Sequence, residues 1–440
     1  MKKKRFRLLF VLFAVLVIIM TGCGGNDVST VGDEISSSKE EDNEKQATSN
    51  ASQVIIGNST ELSGDWTEKW QNGAADSEFT LMSRSSTVEN DGLGEFHINK
   101  SIIENHEIED HEDGSRTYTL KLHDGLLWAD GTELNAKNFV STYLFWSAPA
   151  LREMGAPANE GDKLVGYREY SSGEAKEFAG IRLIDDLTYS LTIDGENLPF
   201  YYEITLIQVP PIDINFWTSD DEIEILDDGN GVYLSKEITT AEHQDAISNA
   251  RHAIPRPCNG AYEIVDYDPT AKMATAKLNP NYAGNWEGVK PTIETIIMKK
   301  INADTQFDEL KTGSIDIIFQ ARGGEEINTG LDLEEEGGFK SFHYPRPGYG
   351  KLLFACDYGP TQFVEVRQAF AYLLDRVDFT NSFTGGYGSV VNGPYGEGQW
   401  MYQETKAELN ERLNQYTYNP TEAVRLLEEG GWVLNSEGGP

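Results

Sequence analysis

Cysteine is scarce in this chain: Cys23, Cys258 and Cys356 are the three in 440 residues. That excludes a disulfide-stapled scaffold and a cysteine-rich metal site. Histidine is sparse too, with seven scattered residues. Positive charge is in deficit, 36 Lys and Arg against 72 Asp and Glu, for a net charge of −36. A nucleic-acid partner is therefore excluded, because a phosphate backbone must be met by Lys and Arg. Electrostatic docking on anionic lipid is excluded for the same reason. Long apolar runs are lacking except Leu8–Met20, so a polytopic membrane protein is excluded.

Motifs of catalysis are missing as well. There is no GxxxxGK[ST] phosphate loop and no GxSxG elbow. His106 and His111 are five apart, not four, so they do not share a helical face as a zinc-protease pair would. Their acidic surroundings, Glu104 to Asp113, read as a solvated loop before a strand. The expectation is a protein that is not an enzyme and needs no cofactor or metal.

The N-terminus is informative. Lys2, Lys3, Lys4, Arg5 and Arg7 precede Leu8–Met20, and Met20-Thr21-Gly22-Cys23 follows. Basic head, short apolar run and small residues before a Cys make a signal peptide. The Cys resembles that of a bacterial lipobox, so residues 1–22 are expected to be removed and Cys23 lipidated. Removal takes away five cations and no acid, leaving 31 cations against 72 acids, −41. Residues 24–53 hold no aromatic and few apolar groups, so with Cys23 they read as a disordered tether, 23–53. The folded body then starts near Val54, outside the cytoplasm and held to the cell membrane by lipid. Cys258 and Cys356 read as two buried free thiols.

In the body, Val54-Ile55-Ile56 reads as a strand, and Arg116–His123 alternates with Tyr118, Leu120 and Leu122 on one face. Asn135 caps a helix bearing Phe139, Val140, Tyr143 and Leu144. Two strands flank Asp185-Asp186, and Gly260–Tyr267 and Ala274–Leu278 form a hairpin. Thr292–Ile301 and Ile315–Ile318 are strands, with a helix capped by Asn302 between them. Val364–Phe379 reads as one helix whose stripe is Val366, Ala369, Phe370, Leu373 and Leu374. Asn419-Pro420-Thr421-Glu422 opens another that Gly430-Gly431 ends. Interleaved strands and helices without a strict repeat give an α/β or α+β chain in more than one lobe.

Four segments together resemble one family. They are Tyr118–Val140 with its Asp124-Gly125 and Trp128-Ala129-Asp130-Gly131-Thr132 turns; Asn259-Gly260-Ala261-Tyr262, followed by Leu278–Tyr282 and Lys311–Asp316; the helix Val366–Arg376; and Asn419–Trp432. Order and spacing over 54–435 are similar to those of the extracytoplasmic solute-binding proteins of ABC importers, in the peptide-binding family 5. The resemblance implies an α/β, two-lobed periplasmic-binding-protein fold, class II-like, with an extra subdomain in lobe 1. Residues 54–320 would be lobe 1, the subdomain falling at about 80–193, and 321–440 would be part of lobe 2. Family members continue beyond the segment that ends here at Pro440, so the resemblance implies a C-terminally truncated member with lobe 2 incomplete.

The implied function is a lipid-anchored receptor, monomeric, that encloses a peptide between lobes and delivers it to the permease and ATPase subunits of an importer. Residues bordering such a cleft are Glu61, Ser63 and Trp66 after the first strand, Phe319 and Gln320 at the lobe crossing, and Tyr344 and Tyr349 in the following Pro/Gly-rich loop. Glu61 would meet a cationic amine, Gln320 the peptide amides, and the tyrosines a side-chain pocket. Competing readings are the same scaffold binding a metal chelate, haem, an oligosaccharide or a signalling peptide, a tethered hydrolase, and a remnant that no longer transports.

Overall fold

The computed structural model describes residues 52–433 apart from 68, 71–72, 93, 322, 345–347 and 394–395. The signal segment and Cys23 lie outside the described residues.

One sheet has five strands, in the order Tyr262–Asp268, Met273–Leu278, Thr295–Lys300, Gln53–Asn58, Ile317–Ile318. The first three are antiparallel to one another in sequence, and the last three are mutually parallel. Gln53–Asn58 sits between two parallel partners, Ile55 opposite Ile297 on one side and Ile56 opposite Ile317 on the other. Beyond the ladder, the Asp316 carboxylate accepts from Ile55 N at 2.8 Å. Leu62, Trp66, Phe79, Tyr262, Ile264 and Met298 fill the core on this sheet.

The second sheet is wholly antiparallel: Ile103–Asp110, Arg116–Leu122, Thr188–Ile193, Ile181–Leu183. The stretch read as a solvated loop, His106 to Asp110, is therefore strand. It is an edge strand whose side chains after Ile103 are exposed. Edge position explains the correction, because such a strand pairs through its backbone while burying almost no apolar surface. Ion pairs Glu104–Lys121 and Asp110–Arg116, each 2.6 Å, hold its polar face.

Helix Ala136–Ser147 covers this sheet. Asn135 caps it as expected, its side chain accepting from Lys137 N while Asn138 reaches back to Asn135 N. Ten of its twelve residues are buried, including Phe139, stacked on Tyr189 of the sheet at 6.0 Å. Full burial of a side chain of that size contributes about 1.5–3 kcal/mol. Phe145, Trp146 and Trp217 extend the same core.

The regular elements among the described residues of 323–433 are helices, with no strand. The expected single helix from Val364 is two, Val364–Leu373 and Arg376–Thr384, because Asp375 caps the second by accepting from Asp378 N at 3.0 Å. Of the expected stripe, Val366 and Ala369 are buried, whereas Phe370, Leu373 and Leu374 are exposed. The helix packs against Pro420–Glu429, so only the side facing that neighbour is covered. The helix after Asn302 begins later, at Gln306, and Asn302 instead closes a turn by accepting from Asp304 N. Cys258 is buried as expected, but Cys356 is exposed, lying in an irregular segment with no element packed over it; both are free thiols.

Candidate functional site

The three parallel strands end together at Asn58, Lys300 and Ile318. Chain order departs from the central strand in opposite directions here, since its two parallel partners flank it. In open α/β sheets the crevice outside such carboxyl ends is where ligands bind. Two loops border it, 59–67 after the central strand and 319–321 after Ile317–Ile318.

Loop 59–67 is pinned from beneath. Asp76, on helix Ala74–Leu81, accepts from Ser63 N at 2.9 Å and Gly64 N at 3.0 Å. Burial pushes the Asp76 carboxyl above its ordinary range, and these backbone donors oppose the rise. Tyr267 donates its hydroxyl to Leu62 O at 2.8 Å, and Lys300 reaches Ser59 O. Asp65 is buried; it accepts from Thr67 Oγ1 at 2.7 Å and forms an ion pair with Arg251. Gly64, at φ +78°, lies against the Tyr267 ring, where a Cβ would collide.

The second loop leaves the sheet through Phe319, whose N–H donates to Gly57 O at 3.0 Å. Gln320 follows in the left-handed region, φ +62°. That conformation is uncommon for a non-glycine residue and costs on the order of 1 kcal/mol. Its side-chain amide donates to Glu78 of helix Ala74–Leu81. The helix thus carries one carboxylate to each loop, Asp76 to the first and Glu78 to the second.

Residues 69–440 match the family model described as bacterial extracellular solute-binding proteins, family 5 Middle. The chain belongs to that family. Among curated family-5 relatives, the oligopeptide-binding protein OppA of Lactococcus lactis is 24% identical over 346 residues, covering 74% of this chain and 51% of the relative. The dipeptide-binding protein of Escherichia coli is 21% identical over 340 residues, covering 73% and 53%. The heme-binding protein A of Haemophilus influenzae is 25% identical over 203 residues, covering 44% and 34%. The chain spans about half the length of the first two. Among solved structures, closed lactococcal OppA with an endogenous peptide has TM-score 0.61 at 16% identity, covering 88% of this chain and 67% of that one. A periplasmic EDTA-binding protein has TM-score 0.59 at 17% identity, covering 88% and 66%. The fold is the α/β, two-lobed one of this family.

Within this family fold, the structure places Glu61 and Ser63 on the exposed side of the first loop, and Glu61 forms no ion pair among the described residues. Trp66 points inward instead, 1% exposed, its ring 5.3 Å from that of Tyr267 and 6.1 Å from that of Phe79. Phe319 and Gln320 are half-buried at the other loop. Loop 1 and loop 2 are thus brought to one helix. Tyr344 and Tyr349 are 62% and 40% exposed and make no aromatic contact among the described residues. Residues 348–359 carry no strand.

Sequence reasoning missed Asp76 and Glu78, because the helix bearing them spans only eight residues and has no side-chain cap. The Asn259-Gly260-Ala261-Tyr262 motif has a structural role. Asn259 exchanges two hydrogen bonds with the Ser85 backbone at 2.8 and 3.0 Å, and Gly260 N donates to Ser83 O at 3.1 Å. The motif locks the end of helix Ala74–Leu81 to the sheet. Asp91, Glu95 and His97 are near enough to share a cation, but Asp91 already accepts from Glu95 N and His97, whose ring stacks on Trp286 at 4.0 Å.

Proposed function

We propose that this chain captures peptides at the carboxyl edge of its parallel strands and passes them, unchanged, to an ABC importer. The observation that carries the reading is the pair of loops, 59–67 and 319–321, braced by one helix at the strand-order reversal. An extended peptide needs main-chain hydrogen bonds and roomy side-chain pockets. Glu61 supplies an uncommitted carboxylate for a peptide amine, and Phe319 supplies an apolar face. Ser63 and Gln320 border the same crevice, and Tyr344 and Tyr349 are the residues offered to ligand side chains from the other lobe. Closure over the ligand gains free energy only from contacts to both lobes. Delivery to permease and ATPase subunits, attachment through lipidated Cys23 at the outer face of the cell membrane, and a monomeric state belong to this proposal. Division of the chain into lobe 1, 54–320, and lobe 2 from 321 belongs to it too.

A second reading, the same crevice taking a non-peptide solute, is favoured by the heme-binding and EDTA-binding relatives. Calorimetric titration of the full chain with a defined peptide mixture, followed by mass analysis of the bound fraction, separates the two. The proposal expects peptide recovered at unchanged mass. Heat from haem or a chelate and none from peptide favours the second reading. Cleaved peptide contradicts both.

A further inference from the structure

A small pocket of about 240 Å³ lies where the turn of the hairpin Val88–Asn90 and Phe96–Ile98, residues 201–204 and the start of helix Trp400–Arg412 meet. No residue of loops 59–67 or 319–321 lines it. Its walls are mostly aromatic: Phe96, Tyr201, Tyr202 and Trp400, with Ile204 and Glu95. The volume is below the roughly 300–1,000 Å³ of drug-sized ligands, so the pocket admits a group of few heavy atoms.

The walls are held from behind. Phe96 meets Tyr202 edge-on, with 5.4 Å between ring centroids. Tyr202 donates its hydroxyl to Met401 Sδ at 3.2 Å. Met401 and Tyr402 are buried, which anchors the helical turn that presents Trp400. Tyr201 and Trp400 themselves are 66% and 36% exposed, so ring surface stays open. Aromatic faces are electron-rich and attract a cation.

Glu95 is the charged residue of this wall, and its carboxylate forms no ion pair among the described residues. It lies within 4.8 Å of the Asp91 carboxylate and a His97 ring nitrogen. His97, 3.1 Å from Asp91, can at most cancel the charge of Asp91, which leaves that of Glu95 over. The flanking cations are taken: Arg116 by Glu203 at 2.8 Å and Asp110 at 2.6 Å, Lys406 by Glu397 at 3.7 Å. An anion is therefore disfavoured. A metal ion takes oxygen, nitrogen or sulfur donors, not ring faces. A primary ammonium brings three N–H donors, finds Glu95 as the carboxylate of the wall, and meets a Tyr202 hydroxyl already engaged by Met401 and Gln399. A methylated ammonium needs no acceptor and uses ring faces and one carboxylate together.

We propose that this pocket binds a small methylated ammonium ion, its charge facing Glu95 and its methyl groups against Phe96, Tyr201, Tyr202 and Trp400. The site does not rest on the peptide reading, and its test does not require peptide binding. A free ion and the headgroup of a choline ester present the same trimethylammonium group.

The test is a ligand-observed NMR titration of the full chain with choline, the neutral tert-butyl isostere of choline, ethanolamine and phosphocholine. Choline is expected to saturate with a Kd of about 1 mM or tighter, with the isostere and ethanolamine each at least about tenfold weaker. Glu95→Gln is expected to bring choline and the isostere within about twofold of each other, and a retained thermal transition shows that it is folded. The comparison of choline with its isostere on unaltered protein stands even where that variant does not fold. Tighter phosphocholine than choline assigns the site to headgroups, and the reverse assigns it to free ions; both support the site. Equal binding of choline and its isostere, ethanolamine as tight as choline, or no saturation by choline or phosphocholine overturns it.

Discussion

Replacing Asp76 with alanine tests how the crevice loop is held. Asp76 is fully buried and takes two backbone donors, Ser63 N at 2.9 Å and Gly64 N at 3.0 Å. Alanine leaves both donors without an acceptor. A buried unsatisfied donor costs about 1–3 kcal/mol; Gly64 N counts fully, while Ser63, on the exposed side, counts at the low end because water reaches it. Against this, alanine removes a carboxylate whose ionised form is penalised by burial, which trims the loss. The expected net destabilisation is about 2–3 kcal/mol. Asp76→Asn retains one acceptor oxygen and is expected to lose roughly half as much. Urea titration followed by tryptophan fluorescence, summed over the eight tryptophans of the chain, reads both. The pH sign is also fixed. Burial raises the folded pKa of Asp76 above its ordinary 3.8. Its contribution is therefore full below 3.8 and declines as pH rises through the raised value. The wild-type advantage over Asp76→Ala should be larger near pH 4 than at pH 7. A change within about 0.5 kcal/mol, or an advantage that grows with pH, refutes the reasoning.

Gly260→Ala puts a Cβ 2.7 Å from Met82 O and closer still to the Ser83 and Arg84 backbone; we expect a loss of about 3 kcal/mol or no folded product, read by thermal melting. Arg251→Ala strands the buried Asp65 carboxylate and should cost about 2–4 kcal/mol in urea titration, well above an ordinary surface change. The Lys236 ammonium, with help from Glu222 N and His243, holds the Asp220 carboxyl below 3.8, so the pair's contribution is present above 3.8 and fades as pH falls through the lowered value. Lys236→Met should shrink the acid-side loss of stability measured between pH 5 and 3. In the native protein a maleimide should label Cys356 and spare Cys258, whose thiol burial pushes up to about 12.

Much of the fold was legible because its signals are local. Asn135 before an apolar run marks a cap, and the Arg116–Leu122 alternation marks a half-buried strand. The Ile103–Asp110 strand was hidden because an edge strand facing solvent shows no apolar alternation. The Val364 stripe was overread, because apolar spacing reports which side chains suit a core and not whether a neighbour covers them; Phe370 is 50% exposed. The loops after strands 53–58 and 317–318 follow from strand order, and they carry Glu61, Ser63, Phe319 and Gln320, the residues proposed to border the crevice. Trp66 was not separable from them, since facing inward depends on Phe79 and Tyr267, distant in sequence.

The central claim is reversible capture of intact peptide at the crevice between loops 59–67 and 319–321. Native mass spectrometry of the full-length protein purified from cells tests it most directly, with Glu61→Gln and Gln320→Ala alongside. The account predicts a co-purifying peptide of intact mass on the wild type, depleted several-fold on both variants. A peptide retained equally on all three proteins, or a non-peptide adduct in its place, contradicts it.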